Sequence, residues 1–205
     1  MHFRRFILGA LASAPMLAVM AGAAQALTPD EAKSFISASG DKLVAIVNGS
    51  ASESGKASQL RDLINQIVDV NQVGDYVLGR YINVATPAQK QQFETLFHQL
   101  LSYNITYQIK AYQGLGIAVN SATPQGEDVL VDTTISTPGK APADVGWVVQ
   151  EDAGQPKIID VIVAGTSLRI TTRNDYAGVI TDNGGQVSAL LSAMQNQITK
   201  ISAAQ

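Results

Sequence analysis

The chain has 205 residues, 46% of them hydrophobic, with 14 basic and 17 acidic side chains and a formal net charge of −3. This mildly acidic balance argues against binding to nucleic acid through a basic surface. The absence of cysteine excludes disulfide bonds and metal sites built from thiolates, so stability must come from a hydrophobic core, which a chain of this length can supply.

The first 26 residues have the pattern of a secretory signal peptide. Arg4 and Arg5 precede an apolar run that extends to Met20, and small residues then lead to Ala24-Gln25-Ala26, an A-x-A cleavage site. The apolar run is short for a membrane span and is interrupted by a proline. The sequence therefore predicts export, with cleavage after Ala26.

The next part of the chain, residues 27–113, has the spacing of helices. Thr28-Pro29-Asp30-Glu31 is a capping box with proline at the first helical position, which predicts a helix start. We expect a surface loop over Asn48–Lys56, a second helix after it and a short third helix over Val70–Leu78. A connector over Arg80–Ala85 then leads to a fourth helix.

The fourth helix has the strongest helical pattern. Thr86-Pro87-Ala88-Gln89 predicts its start, and Gly114 and Gly116 are expected to end it. Its apolar positions repeat over about five turns: Phe93, Leu96, Phe97, Leu100, Leu101, Ile105 and Ile109.

After Gly116 the apolar period changes from 3.6 to 2, which indicates strands. Four strands, near residues 117–119, 129–135, 145–149 and 158–163, are separated by turns and predict an antiparallel meander. Gly165 and the capping residue Ser167 then predict a helix, and a break at 183–185 precedes a last one. The expected fold class is α+β, with about four strands in a twisted antiparallel sheet, and residues 27–205 form one domain: helical 27–113, sheet 114–164, C-terminal helices 167–205.

The residues that carry most enzyme chemistry are scarce. His98 is the one histidine of the mature chain, and no cysteine accompanies it, so neither a nucleophile–base pair nor a metal site is indicated. We expect no enzyme activity and no cofactor. The apolar faces of the helices and the sheet fit either a filled core or a lined cavity, because both have the same sequence pattern.

Several ordered blocks of the sequence resemble the toluene-tolerance (MlaC-like) family of periplasmic phospholipid-binding proteins. One block runs from Ile67 to Tyr81 and contains Leu78-Gly79-Arg80, and a second covers the Thr-Pro start of the fourth helix. The third joins Asp160-Val161 to Gly165-Thr166-Ser167-Leu168. Arg173 and Tyr176 complete the pattern.

The resemblance implies a periplasmic carrier that holds a phospholipid with two acyl chains in an apolar cavity between helices and sheet. It also implies partners: an outer-membrane lipoprotein complex, and an inner-membrane ABC transporter with its MCE-domain protein. A carrier of hopanoids or other lipids, and an interaction module without a ligand, remain alternatives. The residues expected to bind the ligand are Tyr76, Val77, Phe97, Leu100, Tyr103, Val131, Ile135, Trp147, Val149, Val161, Val163, Leu168 and Arg173.

Arginines near the expected mouth of the cavity have two interpretations. Arg173 pairs with a carboxylate such as Asp160 or Asp175 and holds its helix on the sheet, or one of Arg80, Arg169 and Arg173 contacts the lipid phosphate.

Overall fold

The computed structural model describes residues 26–107 and 112–203, without the side chains of residues 105–107. The predicted signal peptide, the cleavage site up to Gln25 and the predicted helical position Ile109 lie outside the described residues, as does the side chain of Ile105.

The helical part of the chain follows the predicted order. It consists of α1 (Pro29–Asn48), α2 (Glu53–Ile67), α3 (Val70–Leu78), a 3₁₀ helix (Gly79–Asn83) and α4 (Pro87–Tyr107). Both predicted capping boxes form. The Thr28 hydroxyl accepts a hydrogen bond from the Glu31 N–H at 3.3 Å, and the Thr86 hydroxyl accepts one from the Gln89 N–H at 3.2 Å.

Two boundaries differ from the prediction. The expected loop over Asn48–Lys56 is shorter, because Ser52 caps α2 and the helix begins at Glu53. Lys56 lies within that helix and is buried, since its Nζ donates a 2.6 Å hydrogen bond to the Val47 carbonyl. The expected connector over Arg80–Ala85 is largely the 3₁₀ helix, a common way to continue from the end of an α-helix.

The sheet is an antiparallel meander in the order β1-β2-β3-β4-β5. Its long strands are β1 (Gly116–Gln125), β2 (Asp128–Ser136), β3 (Ala143–Asp152) and β4 (Gln155–Val163). The fifth strand, β5 (Thr166–Ser167), was not predicted. It forms because Ala164 and Gly165 both adopt positive φ, 49° and 77°, which turns the chain back onto β4 before the next helix starts.

Two helices complete the chain, α5 (Leu168–Asp182) and α6 (Val187–Ala203), joined across the predicted break. Ser167 caps α5 as expected, accepting a 3.0 Å hydrogen bond from the Ile170 N–H. None of the described helices is both long and apolar enough to cross a lipid bilayer.

The buried apolar side chains form two separate clusters. The helical cluster joins α2 to α6 around Phe93, Ile180 and Leu190. In the other, which we call the α1–sheet cluster, Ala32 and Ile36 of α1 pack on the inner face of the sheet; its sheet members are Val129, Val131, Val149 and Ile158.

Candidate functional site

An apolar cavity of about 570 Å³ lies between these two clusters. Ligand sites in proteins typically occupy about 300–1,000 Å³. The cavity meets the α1–sheet cluster at Ile36 and Ile158, and it meets the helical cluster at Ile64 and Phe97. The helices and the sheet are thus packed tightly on either side of a space that their own side chains do not fill.

Most of the cavity wall is aliphatic and comes from α1 to α4 and from the inner face of the sheet. Leu168 lines the cavity and is nevertheless 47% exposed, so the cavity reaches the surface where α5 begins. The apolar wall residues are Ile36, Leu43, Val47, Leu60, Leu63, Ile64, Ile67, Val68, Val73, Val77, Phe97, Leu100, Leu101, Leu115, Ile117, Ile135, Trp147, Ile158, Ile159, Val161 and Leu168.

Some of the residues that the sequence predicted to bind the ligand lie in this wall. Those that line the cavity are Val77, Phe97, Leu100, Ile135, Trp147, Val161 and Leu168. They come from six different elements, and the fold brings them together around one space.

The other predicted residues lie elsewhere. Val131 and Val149 have no exposed surface and are packed in the α1–sheet cluster, because α1 covers that part of the sheet. Val163 is 37% exposed at the end of β4 and is not part of the cavity wall. Tyr103 packs against the helical cluster, and Tyr76 lies beneath two arginines outside the cavity wall.

Sequence reasoning missed the contribution of α1 and α2 to the wall. Leu43 of α1 and Leu63 of α2 line the cavity, and neither is among the residues predicted to bind the ligand. One signal was available: Ser39 and Gly40 are small residues within the apolar stripe of α1, and both are buried in the wall. Small residues on a buried helix face leave space that larger ones would fill.

The polar part of the wall lies where β4 meets α5. The Asp160 carboxylate is buried and accepts hydrogen bonds from the Val161 N–H at 2.8 Å, the Ser167 hydroxyl at 2.5 Å and the Arg169 N–H at 3.0 Å. These three donors fix the turn between strand and helix, so Asp160 has a structural role at the start of α5.

Arg169, rather than the predicted Arg173, forms the ion pair with Asp160. Its Nε lies 3.9 Å from Asp160 Oδ2, a contact too long for a hydrogen bond. The Arg169 guanidinium stacks on the Tyr76 ring at 4.1 Å from the ring centre, and Arg173 stacks on the same ring at 4.9 Å. Arg80 has a different partner. Its guanidinium lies over the Tyr81 ring and donates a 2.9 Å hydrogen bond to the Tyr81 hydroxyl.

Two further polar groups are held in the sheet and in α5. Trp147 Nε1 donates a 2.9 Å hydrogen bond to the buried Thr133 hydroxyl, which fixes the indole at the cavity wall. Tyr176 also lines the cavity, and burial raises the pKa of its phenol to about 12. Tyr176 is therefore a neutral wall residue throughout the physiological range.

His98, the one histidine among the described residues, does not line the cavity. His98 contacts Asn71 at 3.1 Å on the protein surface. Within the described part of the chain, no group of three or more histidine, aspartate and glutamate side chains is placed to hold a metal ion. The cavity, with its mostly apolar wall, is suited to enclosing an apolar ligand.

Comparison with known proteins gives consistent matches. A family model described as MlaC protein matches residues 37–196. The intermembrane phospholipid transport system binding protein MlaC of Haemophilus influenzae is 22% identical over 138 residues, covering 65% of this chain and 64% of that protein. The toluene tolerance protein ttg2D of Pseudomonas putida is 22% identical over 143 residues, covering 69% and 66%. The chain thus spans just under two thirds of the length of these curated relatives.

A solved structure confirms the predicted α+β fold. The phospholipid-binding protein from Ralstonia solanacearum, determined in complex with a phospholipid, superposes with a TM-score of 0.73 at 23% sequence identity. The superposition covers 83% of this chain and 98% of that one. Since the family model spans most of the sequence, the chain belongs to the MlaC protein family.

Proposed function

We propose that the protein is a periplasmic carrier of phospholipid. The observation that carries this proposal is the apolar cavity between the helices and the sheet, which opens to the surface beside Leu168. Membership of the MlaC family supports it, as do relatives whose names describe phospholipid transport and binding.

In this proposal, the acyl chains of the lipid lie in the cavity and contact its aliphatic wall. Contacts come from α1 and α2 through Leu43 and Leu63, from α4 through Phe97, and from the sheet through Trp147 and Val161. Burial of each CH₂ group contributes about 0.8 kcal/mol. Two chains of roughly 16 carbons nominally gain on the order of 25 kcal/mol, which exceeds the practical limit of non-covalent affinity.

Such tight burial makes spontaneous release into water too slow for transport. The carrier therefore gives up its lipid in contact with a partner that offers a continuous apolar path. The partners we propose are an outer-membrane lipoprotein complex and an inner-membrane ABC transporter with its MCE-domain protein. Export, with removal of the signal peptide after Ala26, brings the carrier to the compartment between them.

Native mass spectrometry of the protein purified from the periplasm, without added lipid, tests the proposal. We expect the mass of a polypeptide whose first residue is Leu27. We also expect a non-covalent complex that is heavier than this polypeptide by the mass of a phospholipid. A hopanoid in place of phospholipid would support the alternative lipid carrier, and a protein without any bound lipid would contradict the carrier function.

A further inference from the structure

We propose that Arg169 binds the phosphate group of the carried lipid, an inference that rests on the proposed carrier function. Among the described residues that line the cavity, Arg169 is the one with a cationic side chain. It follows Leu168, where the cavity reaches the surface. A lipid whose tails point toward α1 and α2 would have its headgroup at this end.

The Arg169 guanidinium has unused hydrogen-bonding capacity. Its Nε is buried and has no hydrogen-bond acceptor in the described structure. A buried donor without an acceptor is energetically unfavourable, and more so when it is charged, so the hydrogen bonding of this guanidinium is incomplete in the structure. The Nε itself is enclosed, but the guanidinium carries further N–H groups on its two Nη atoms, and a phosphate oxygen in the cavity would accept hydrogen bonds from these.

The nearby carboxylates do not replace a ligand. Asp160 already accepts three hydrogen bonds, and it stays 3.9 Å from the Arg169 Nε. Asp128 is close enough to interact electrostatically with Arg169, yet its own buried Oδ1 has no hydrogen-bond partner among the described residues. Two acidic side chains therefore balance the charge of this region without satisfying the guanidinium.

The position of Arg169 is fixed before a ligand arrives. Its guanidinium stacks on Tyr76, and Arg173, one turn along α5, stacks on the same ring. Arg173 itself packs against Gly79: a Cβ at that glycine would lie 3.0 Å from the Arg173 Nε. Arg173 is not part of the cavity wall. The structure thus separates a ligand-facing arginine, Arg169, from a supporting one, Arg173.

Two lipids that share tails but differ in phosphate test the proposal: phosphatidic acid, and diacylglycerol with the same acyl chains. Affinities of the mature full-length protein for both are compared between wild type and Arg169→Gln. The ratio of the two affinities in the variant, divided by the ratio in wild type, cancels the different solubilities of the lipids. Arg80→Gln is the matched control, because Arg80 also stacks on a tyrosine but lies outside the cavity wall.

We expect Arg169→Gln to lower the preference for phosphatidic acid by about tenfold to a hundredfold, the effect of one charge-assisted hydrogen bond. Arg80→Gln should leave the preference unchanged. An unchanged preference in folded Arg169→Gln would overturn the inference while leaving the carrier function intact. Binding of neither lipid by wild type would instead contradict the carrier function itself.

Two additional arms keep the test decisive. If Arg169→Gln does not fold, Arg169→Lys retains the charge without the planar fork, and we expect it to lose part of the preference. Inorganic phosphate, added to lipid-free protein, should change the melting temperatures of wild type and of the variant by the same amount. A rise confined to wild type, together with equal preference for the two lipids, would assign the site to a free anion and overturn the lipid assignment.

Discussion

At the scale of single residues, neighbouring positions on one face of the sheet have different roles. Val149 has no exposed surface and is enclosed by the α1–sheet cluster. Trp147, two residues earlier, lines the cavity. Leu43 on α1 faces the same cavity from the opposite side. Filled core and cavity wall therefore lie next to each other on this face of the sheet.

This difference predicts opposite results for two insertions of the same side chain. Leu43→Trp should fill part of the cavity and reduce bound lipid, at a cost of about 1 kcal/mol or less in the free energy of unfolding. Val149→Trp should overpack the core and cost about 1–3 kcal/mol or more. Denaturant unfolding and lipid content are measured on both variants. Equal losses of stability would show that Leu43 lies in a filled core.

A second residue-scale prediction concerns the indole at the cavity wall. Thr133→Val keeps the shape of a fully buried side chain but removes the hydroxyl that accepts from Trp147 Nε1. The unpaired indole N–H should lower the free energy of unfolding by about 1–3 kcal/mol. Thermal and denaturant unfolding measure the loss. Thr123→Val, at an exposed position of β1, serves as the control, and a similar change in both variants would contradict the role of Thr133.

At the scale of elements, local chemistry explains why most of the fold could be predicted. The capping residues Thr28, Thr86 and Ser167 act within three residues of themselves, so their signals are complete in the sequence. The fifth strand was missed because its turn places Ala164 at positive φ, where glycine or asparagine is the usual signal. The cavity wall could be predicted only in part, because it depends on which helix covers which strand.

The turns at Ala153-Gly154 and Ala164-Gly165 both carry alanine at φ 49°. This conformation is unfavourable for alanine and better tolerated by asparagine. Ala164→Asn should therefore raise the free energy of unfolding by about 0.5–1 kcal/mol, and Ala153→Asn by a similar amount. Urea denaturation measures both. A loss of stability in both variants would contradict the assigned turn geometry.

The start of α1 predicts a dependence of stability on pH. Hydrogen bonds from the Thr28 side chain and backbone lower the pKa of Glu31 below its ordinary value. A lowered folded-state pKa contributes stability above the unfolded value of about 4.3, and that contribution is lost as the pH falls through the folded value. Unfolding free energies of wild type and Glu31→Gln should therefore converge in acid, whereas Glu94→Gln, at an exposed position of α4, should follow wild type. Parallel curves for Glu31→Gln and wild type would contradict the capping interaction.

At the scale of the whole molecule, two tightly packed apolar clusters stabilise the fold. The cavity between them is available to a ligand. The helical cluster is built from α2 to α6, and the α1–sheet cluster from the first helix and the inner sheet face. Each cluster keeps its own packing. A small separation of the helical cluster from the α1–sheet cluster would widen the cavity, which suits a carrier that must load and release a large apolar ligand.

The most direct measurement of the central claim is a crystal structure of the mature protein purified from the periplasm without added lipid. The account predicts electron density for two acyl chains between Leu43, Phe97 and Trp147, with the phosphate beside Arg169 at the end near Leu168. A cavity closed by inward movement of its own side chains, in a protein that contains no lipid, would contradict the account.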